Sequence, residues 1–327
     1  MGMNFFAVDD RLERLSDLGD ILLKLNTVVD WRIFKPLLEE INKKETKGQG
    51  RPPYDRLLLF KILILQQLYN IANDNTEYQI NDRLSFQRFL GLTVGDKVPD
   101  ATTIWLFKER LKNSGKIQEL FELYTAQLEK AGLITRTGSI VDATFIERPR
   151  QHLKEEDKSE DAENTARGRQ MDKDAKPAKK RGKSFYGYKD HIKVDATSKL
   201  ILSYSVTPAD RHDGKEAPNV LDEKDNAAYM DACYRGQEME EAIRKAAPNA
   251  VIHIVRKHDG FREPTEELKA NNPMIQKIRN RVEHVFGFMV KSMGGKFVRS
   301  VGLPRAQTAI GLKHIAYNMR RVCFLLG

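Results

Sequence analysis

The sequence predicts an all-α N-terminal domain over residues 1–130, followed by an α/β domain over 137–327 built on a mixed sheet. Three observations carry this reading. Apolar residues recur at helical spacing through the first part, short apolar runs that read as strands begin at about residue 137, and these come three in succession before alternating with helices. A chain of 327 residues also has room for roughly two domains of about 150 residues each.

Leu57, Leu58, Phe60, Ile62, Leu65, Leu68 and Tyr69 make a broad apolar helix entered through Arg51-Pro52-Pro53. Asp100 is placed to cap a helix that turns Ile104, Phe107 and Leu111 inward and Lys108, Arg110 and Lys112 outward. With the helical stretch Asp82 to Leu90 and the turn Gly91 to Pro99, this pattern fits either a helix-turn-helix reader or an ordinary helical bundle. Trp105 reads most simply as core.

Ser139 to Ile146 is a short apolar run with one acid inside, as in a buried strand. Residues 147–184 are rich in Lys, Glu, Asp and Ala and predict a flexible charged insertion. Phe185 to Val194 and Leu200 to Val206 predict two strands joined by a turn over Asp195 to Lys199. A connection through Asp213-Gly214 then leads to a short strand, Ala227 to Met230, a helix at about 237–246 and a strand from Val251 to Val255. A final long helix is expected from an Asn272 cap and Pro273 at the first position, with Gly294-Gly295 as its stop. Ile278, Val282, Val285 and Met289 form its apolar stripe, and Arg279 and Glu283 share another face.

Composition narrows the function. The net charge is +9, and the segment from Lys277 to Arg321 holds ten Lys/Arg against the single acid Glu283. A second basic run is Lys176, Lys179, Lys180, Arg181, Lys183, Lys189 and Lys193. Either run alone reads as a solvated face; two together point to a polyanion, nucleic acid ahead of membrane. Cys233 and Cys323 are too few and too far apart for a zinc module or a disulfide scaffold. Acids stand early in Met1 to Asp20, and the greasiest stretch, Leu57 to Leu65, is interrupted by Lys61 and far short of about 20 residues. A soluble cytoplasmic protein without a membrane role is expected.

Three acids occupy unusual positions. Asp142 lies inside the first strand, Asp231 ends the fourth, and Glu283 is the lone acid of a basic helix. Each has a plainer reading: a hydrogen-bonded strand acid, a helix cap, an i,i+4 partner of Arg279. Their order favours chemistry, because an RNase H-like sheet sets these three positions side by side. Three hard oxygen donors suit Mg²⁺, and a pair of such ions about 3.5–4 Å apart serves in-line phosphodiester cleavage.

The chain resembles the DDE transposases of bacterial insertion sequences, in particular the insertion sequence five group. The resemblance rests on Ile140-Val-Asp-Ala-Thr144, Tyr186-Gly-Tyr-Lys-Asp-His191, Met230-Asp-Ala-Cys-Tyr-Arg-Gly236 and Ile278-Arg-Asn-Arg-Val-Glu-His-Val-Phe-Gly287. Arg51-Pro-Pro-Tyr54 and Asp100-Ala-Thr-Thr-Ile104 extend it into the helical domain, so it covers roughly residues 45–325. It implies an RNase H-like catalytic domain in which Asp142, Asp231 and Glu283 are catalytic and bind Mg²⁺, with Mn²⁺ as a substitute and two ions per site. The family pattern around the glutamate is Tyr-x2-Arg-x3-Glu-x6-Lys. Here Arg279 and Glu283 keep it, Gln276 replaces the tyrosine, and Lys291 comes one place late behind Val290. The usual Asp-Lys-Gly-Tyr of the middle motif is Asp231-Ala-Cys-Tyr.

Arg279, Lys291, Lys189, His191, Lys179, Lys180, Arg181 and Lys183 are the expected DNA contacts. His191 sits beside Lys189 in a strand, where a site-edge role and a structural one weigh equally. Arg279 can hold a phosphate bidentately or pair with Glu283. His212 and His284 read as structural, and Cys233 lacks a basic partner to make it a nucleophile.

The expected function is a DNA transposase that binds terminal inverted repeats through its helical domain, cuts at the transposon ends by two-metal hydrolysis and joins the 3′-OH to target DNA. Two ends require at least two active sites, so a homodimer or larger synapse is implied, with nucleoid association when DNA is bound. The rivals are a catalytically inactive, transposase-derived DNA-binding protein and a structural protein whose buried acids only satisfy the fold.

Overall fold

The computed structural model describes residues 7–41, 53–150, 171–180, 182–256 and 266–327. Arg51, Pro52, Arg181 and residues 151–170 of the expected insertion lie outside the described residues. Two compact units divide the chain, one of Met1–Tyr124 with Gly311–Gly327 and one of Thr125–Ile310.

Residues up to 130 form α1 (Ala7–Asp17), α2 (Ile21–Val28), α3 (Lys35–Glu40), α4 (Arg56–Tyr69), α5 (Asn73–Asp82), α6 (Leu84–Leu90), α7 (Ala101–Ser114) and α8 (Ile117–Lys130). Asp55 and Asp100 cap α4 and α7 by accepting from the Leu57 and Thr103 amides. The apolar stripe of α7 is buried at Ile104, Phe107 and Leu111. Phe34, Phe60 and Tyr124 meet at ring distances of 5.0 and 5.9 Å around Phe34.

Two side chains of α7 depart from the sequence expectation. Trp105 is 47% exposed, because Ile104, Phe107 and Leu111 already fill the inward stripe and Trp105 lies a full step around the helix from it. Lys108 turns inward instead of outward. Its Nζ donates to Gln66 Oε1 at 3.1 Å and Asn73 Oδ1 at 3.2 Å, in a network where Gln66 Nε2 donates to Thr76 Oγ1 at 2.7 Å.

The second unit carries a six-stranded sheet: β1 (Ser139–Glu147), β2 (Lys176–Lys180), β3 (Lys183–Asp195), β4 (Ile201–Pro208), β5 (Ala227–Met230) and β6 (Val251–Ile254). β3 runs antiparallel to β1 on one edge, and its other edge is shared by β2 and then β4. β5 and β6 continue from β1 in parallel. Leaving β2 aside, the order is β4-β3-β1-β5-β6, antiparallel first and parallel after, which is the RNase H-like arrangement. Gly187 sits where β2 hands over to β4, with φ 144°; a Cβ there would lie 2.3 Å from the Ile146 carbonyl oxygen.

Helices cover both faces. α9 (Asp213–Val220) and α10 (Gln237–Ala246), with the Ala247 that follows it, supply Ala217, Val220, Ile243 and Ala247 to a core with Val141, Ala228 and Met230. α11 (Glu266–Ser292) lies against β1 and β5. Its Arg279 reaches Asp142, whose side chain alternates with Val141, so α11 is on the opposite face from α9 and α10. α12 (Leu303–Leu325) follows.

Several expectations need correction. Part of the 147–184 segment is ordered strand, since β1 runs to Glu147, β2 takes Lys176–Lys180 and β3 starts at Lys183. Composition hides this because an edge strand can be stabilised by backbone pairing while its lysines stay in water. The connection expected near Asp213-Gly214 is the helix α9, capped by His212 Nδ1 accepting from the Gly214 amide at 3.2 Å. α11 begins at Glu266, so Pro273 is interior and Asn272 is no cap. The Asn272 amide instead bonds the backbone N–H and C=O of Arg256 at 3.1 and 2.8 Å, fastening this turn beyond β6 where proline has removed one helical donor. α11 is also not the final helix, because α12 follows it. The α12 start is held from outside: Asp172 and Asp174 accept from the Gly302 and Leu303 amides at 3.0 and 2.8 Å.

Candidate active site

Asp142 is placed by β1 opposite Ile192 of β3, on the face crossed by α11. Its Oδ1 accepts from the Ala143 amide at 2.8 Å, and its Oδ2 faces Arg279 Nη2 at 3.4 Å. Burial pushes the carboxyl up to about 6; the Arg279 guanidinium and the Ala143 amide oppose this, and the Asp231 charge adds to it.

Asp231 follows the last residue of β5 and caps a short 3-10 turn, accepting from the Cys233 amide at 2.6 Å. Its Oδ2 lies 3.9 Å from the same Arg279 Nη2. Burial acts to raise its pKa, but the Cys233 thiol and amide and the Arg279 charge outweigh burial and hold it below the usual carboxylate value. The plainer reading of Asp231 as a cap therefore holds, and the same side chain also faces Arg279. Cys233 itself is unsuited to nucleophilic work, because burial and the neighbouring Asp231 push its thiol pKa up.

Arg279 does not pair with Glu283. Nine-tenths buried, it lays one nitrogen between Asp142 and Asp231, and its Nη1 donates to Gln276 Oε1 at 3.2 Å. Gln276, which stands where the family has tyrosine, thus anchors the guanidinium. Glu283 is one turn further along α11, exposed beside a cavity of about 420 Å³ whose lining includes His284, Gly287, Phe288, Lys291 and Ser292. Among the described residues no three carboxylate, histidine or cysteine side chains close around one point: Asp142 and Asp231 share Arg279, while Glu283 makes no ion pair with it and acts with Asp142 on the Lys296 ammonium.

The donor set still fits a hard divalent ion. Two carboxylates, one on β1 and one just past the end of the adjacent β5, already bracket one cationic nitrogen, and all the donors are oxygens.

The basic residues separate into groups. Lys291 flanks Glu283 in the cavity. Lys179, Lys180 and Lys183 are exposed on the β2–β3 hairpin, and the Lys180 charge helps stabilise both the Asp142 and the Asp231 carboxylates. Lys189 and His191 pair with Phe145 and Ala143 across the strands and so lie on the face away from Asp142. Lys189 Nζ is engaged by Asp213 at 2.8 Å and the Arg211 carbonyl at 2.6 Å. His191 is buried, shares a hydrogen bond with Thr207 Oγ1 at 3.0 Å and has its pKa lowered by burial.

Two residues beside the site escaped the sequence reading. Asp190 is buried and pairs in register with Thr144, two residues from Asp142, so it shares the Asp142 face. Strand alternation signals this once the register is known. Lys296 has its backbone C=O bonded to the Glu147 amide at 2.7 Å and its ammonium 4.6 Å from the Phe286 ring. Burial lowers its pKa, while Glu283, Asp142 and Asp190 pull it back up. Nothing in the local sequence marks it, because a long-range β-bridge places it.

Comparison with known proteins gives the family. Residues 10–110 match a family model described as a transposase domain (DUF772), and residues 134–319 match the transposase DDE domain. A cryo-EM structure of a piggyBac transposase synaptic complex with hairpin DNA is similar at 11% identity and a TM-score of 0.43, over 91% of this chain and 73% of that one. With an RNase H-like sheet, aspartates on β1 and after β5, and a DDE domain match over more than half its length, the chain belongs to the DDE transposase family.

Proposed function

We propose that this protein is a DNA transposase of the insertion sequence five kind, which cuts at the ends of its element and joins the freed 3′-OH to target DNA. The observation that carries this reading is the bracketing of one cationic nitrogen by Asp142 on β1 and Asp231 just after β5, at 3.4 and 3.9 Å. Asp142, Asp231 and Glu283 are the catalytic and metal-binding residues, with Mg²⁺ or Mn²⁺ the ion and two ions per site. Bound there, divalent ions activate the attacking oxygen and stabilise the leaving one. In the first step a water oxygen bonds to phosphorus at the transposon end, the bond to the 3′ oxygen breaks, and that oxygen leaves as a 3′-OH with a proton given up by the water, the phosphate staying on the 5′ side. In the second, the 3′-OH oxygen bonds to a target phosphorus, the bond from that phosphorus to a target 3′ oxygen breaks, and the displaced oxygen leaves as a 3′-OH, taking up a proton as the attacking hydroxyl gives one up.

The chain's own residues position the DNA. Arg279, Lys291 and the hairpin lysines Lys179, Lys180 and Lys183 hold phosphates around the carboxylates. The helical domain of residues 1–130 binds the inverted repeats of double-stranded DNA, and two or more copies assemble on paired ends in the bacterial cytoplasm. No helix among the described residues is long and apolar enough to cross a membrane.

The test is incubation of the protein with labelled DNA carrying its own element's ends, in Mg²⁺, Mn²⁺, Ca²⁺ or EDTA, beside Glu283→Gln. Cutting at the end in Mg²⁺ or Mn²⁺, abolished by EDTA and by the variant, is the expected result. Specific binding without cutting in any metal would replace this reading with the inactive, DNA-binding derivative.

A further inference from the structure

In the free protein a guanidinium sits where the carboxylates would close on an ion. Arg279 Nη2 is 3.4 Å from Asp142 Oδ2 and 3.9 Å from Asp231 Oδ2. A divalent ion bound by both acids needs their oxygens at about 2.0–2.6 Å, so a guanidinium nitrogen in that gap excludes it by volume and by like charge. Arg279 is anchored only lightly elsewhere: Nη1 donates to Gln276, itself exposed, and Nε is a buried donor with no acceptor among the described residues. An orphaned donor on a buried guanidinium is satisfied by an incoming oxygen, and a phosphate presents two in the fork geometry that arginine prefers.

We infer that Arg279 latches Asp142 and Asp231 together in the free protein and releases them to a divalent ion when a DNA phosphate takes its guanidinium, so that metal loading follows DNA binding. This rests on Asp142 and Asp231 being the metal-binding pair. Arg279 is here a positioning residue: it couples two ligands by exchanging one anionic partner for another. The coupling is reciprocal, so bound metal also tightens DNA binding. The exchange keeps an isolated protein from holding a loaded, DNA-free cutting centre.

The test reads bound Mn²⁺ by electron paramagnetic resonance, with no activity measurement. Free protein and protein with a short duplex are titrated, and Mn²⁺ bound by the duplex alone is subtracted. Wild type is expected to bind Mn²⁺ at least ten-fold more tightly with the duplex than without. Arg279→Gln is expected to bind at least ten-fold more tightly than wild type when DNA-free, and to gain less than two-fold from the duplex. Arg279→Lys, which restores a cation, is expected to recover part of the DNA dependence. Gln276→Ala loosens the anchor without touching a carboxylate, lies at an exposed position, and is expected to shift DNA-free binding in the same direction as Arg279→Gln. Equal Mn²⁺ affinity in wild type with and without the duplex, or no gain in either Arg279→Gln or Gln276→Ala, overturns the latch. The double variant Arg279→Gln/Asp231→Asn separates the two ideas. If it binds Mn²⁺ as tightly as Arg279→Gln, the carboxylate assignment has failed; if it loses binding, that assignment stands whatever the latch does.

Discussion

Asp142 and Arg279, 137 positions apart in the chain, meet at 3.4 Å with 17% and 10% of their side chains exposed. At that burial the pair is only partly screened by water, so each residue's stability depends on the other. In urea unfolding at neutral pH without metal, the variants Arg279→Met and Asp142→Asn are expected to couple by roughly 1 kcal/mol, within the usual range for contacting residues. Arg279→Met should cost less in the Asp142→Asn background than in wild type. Additive effects would mean that the pair contributes nothing to the folded state.

Asp172 is a buried hub. It pairs with Arg148 at 2.9 Å and accepts from Tyr188 Oη at 2.7 Å, the Gly302 amide at 3.0 Å and the Ala175 amide at 3.1 Å. The side chains of Asp172 and Arg148 are 0% and 3% exposed, so removing the acid takes an ion-pair partner from a buried cation and acceptors from three donors. Asp172→Ala is expected to lower the unfolding free energy by about 3–5 kcal/mol, measured by denaturant titration. A loss of under about 1 kcal/mol would show that the site relaxes or fills with water.

Lys108 gives a pH signature. Burial lowers its ammonium from the ordinary 10.5 to about 8 in the folded chain. Between those values the unfolded chain binds more protons than the folded one, so this group makes stability rise with pH across about 8 to 10.5. Below about 8 the buried charge is present and its cost is complete, up to about 3 kcal/mol. Thermal melts of wild type and Lys108→Met at steps across that window should converge as pH rises. A constant difference between the two would rule out a depressed Lys108.

Exposed lysines on the β2–β3 hairpin should act on DNA through charge alone. Replacing Lys179, Lys180 and Lys183 with alanine is expected to weaken duplex binding similarly for all sequences. It should also flatten the plot of log affinity against log salt by about 0.9 for each phosphate no longer neutralised. Fluorescence anisotropy over a salt series reads this, and an unchanged slope would place the DNA elsewhere.

Local pattern made much of the fold readable. Asp100 capping α7, the stripe Ile104, Phe107 and Leu111, and the strands β1, β3, β4, β5 and β6 follow from spacing and turn residues within a few positions. Asp142 was legible for the same reason, as an acid where a strand's neighbours are Ile140, Val141 and Ala143. What misled was also local. Asn272-Pro273 looks like a helix start, yet Asn272 is spent on the Arg256 backbone 16 positions away. The charged composition of β2 looks like open chain, yet its backbone is paired to β3.

By itself, then, the sequence determined most of the helices and strands, though not β2, α9 or α12, and the candidacy of Asp142, Asp231 and Glu283, while the RNase H-like character was what the family resemblance implied. The elements depend on periodicity and residue type within one segment, the candidate acids on their order along the chain and on the family motifs around them. Only the tertiary structure decided that Arg279 turns to Asp142 and Asp231 instead of to Glu283 one turn away, that Lys189 and His191 lie behind the sheet, and that Lys296 and Asp190 stand near the carboxylates. The reason is physical. A helix sets which residues share a face, but buried charge chooses its partner by desolvation and proximity across elements, and strand register, fixed by long-range pairing, decides which side of the sheet each residue serves.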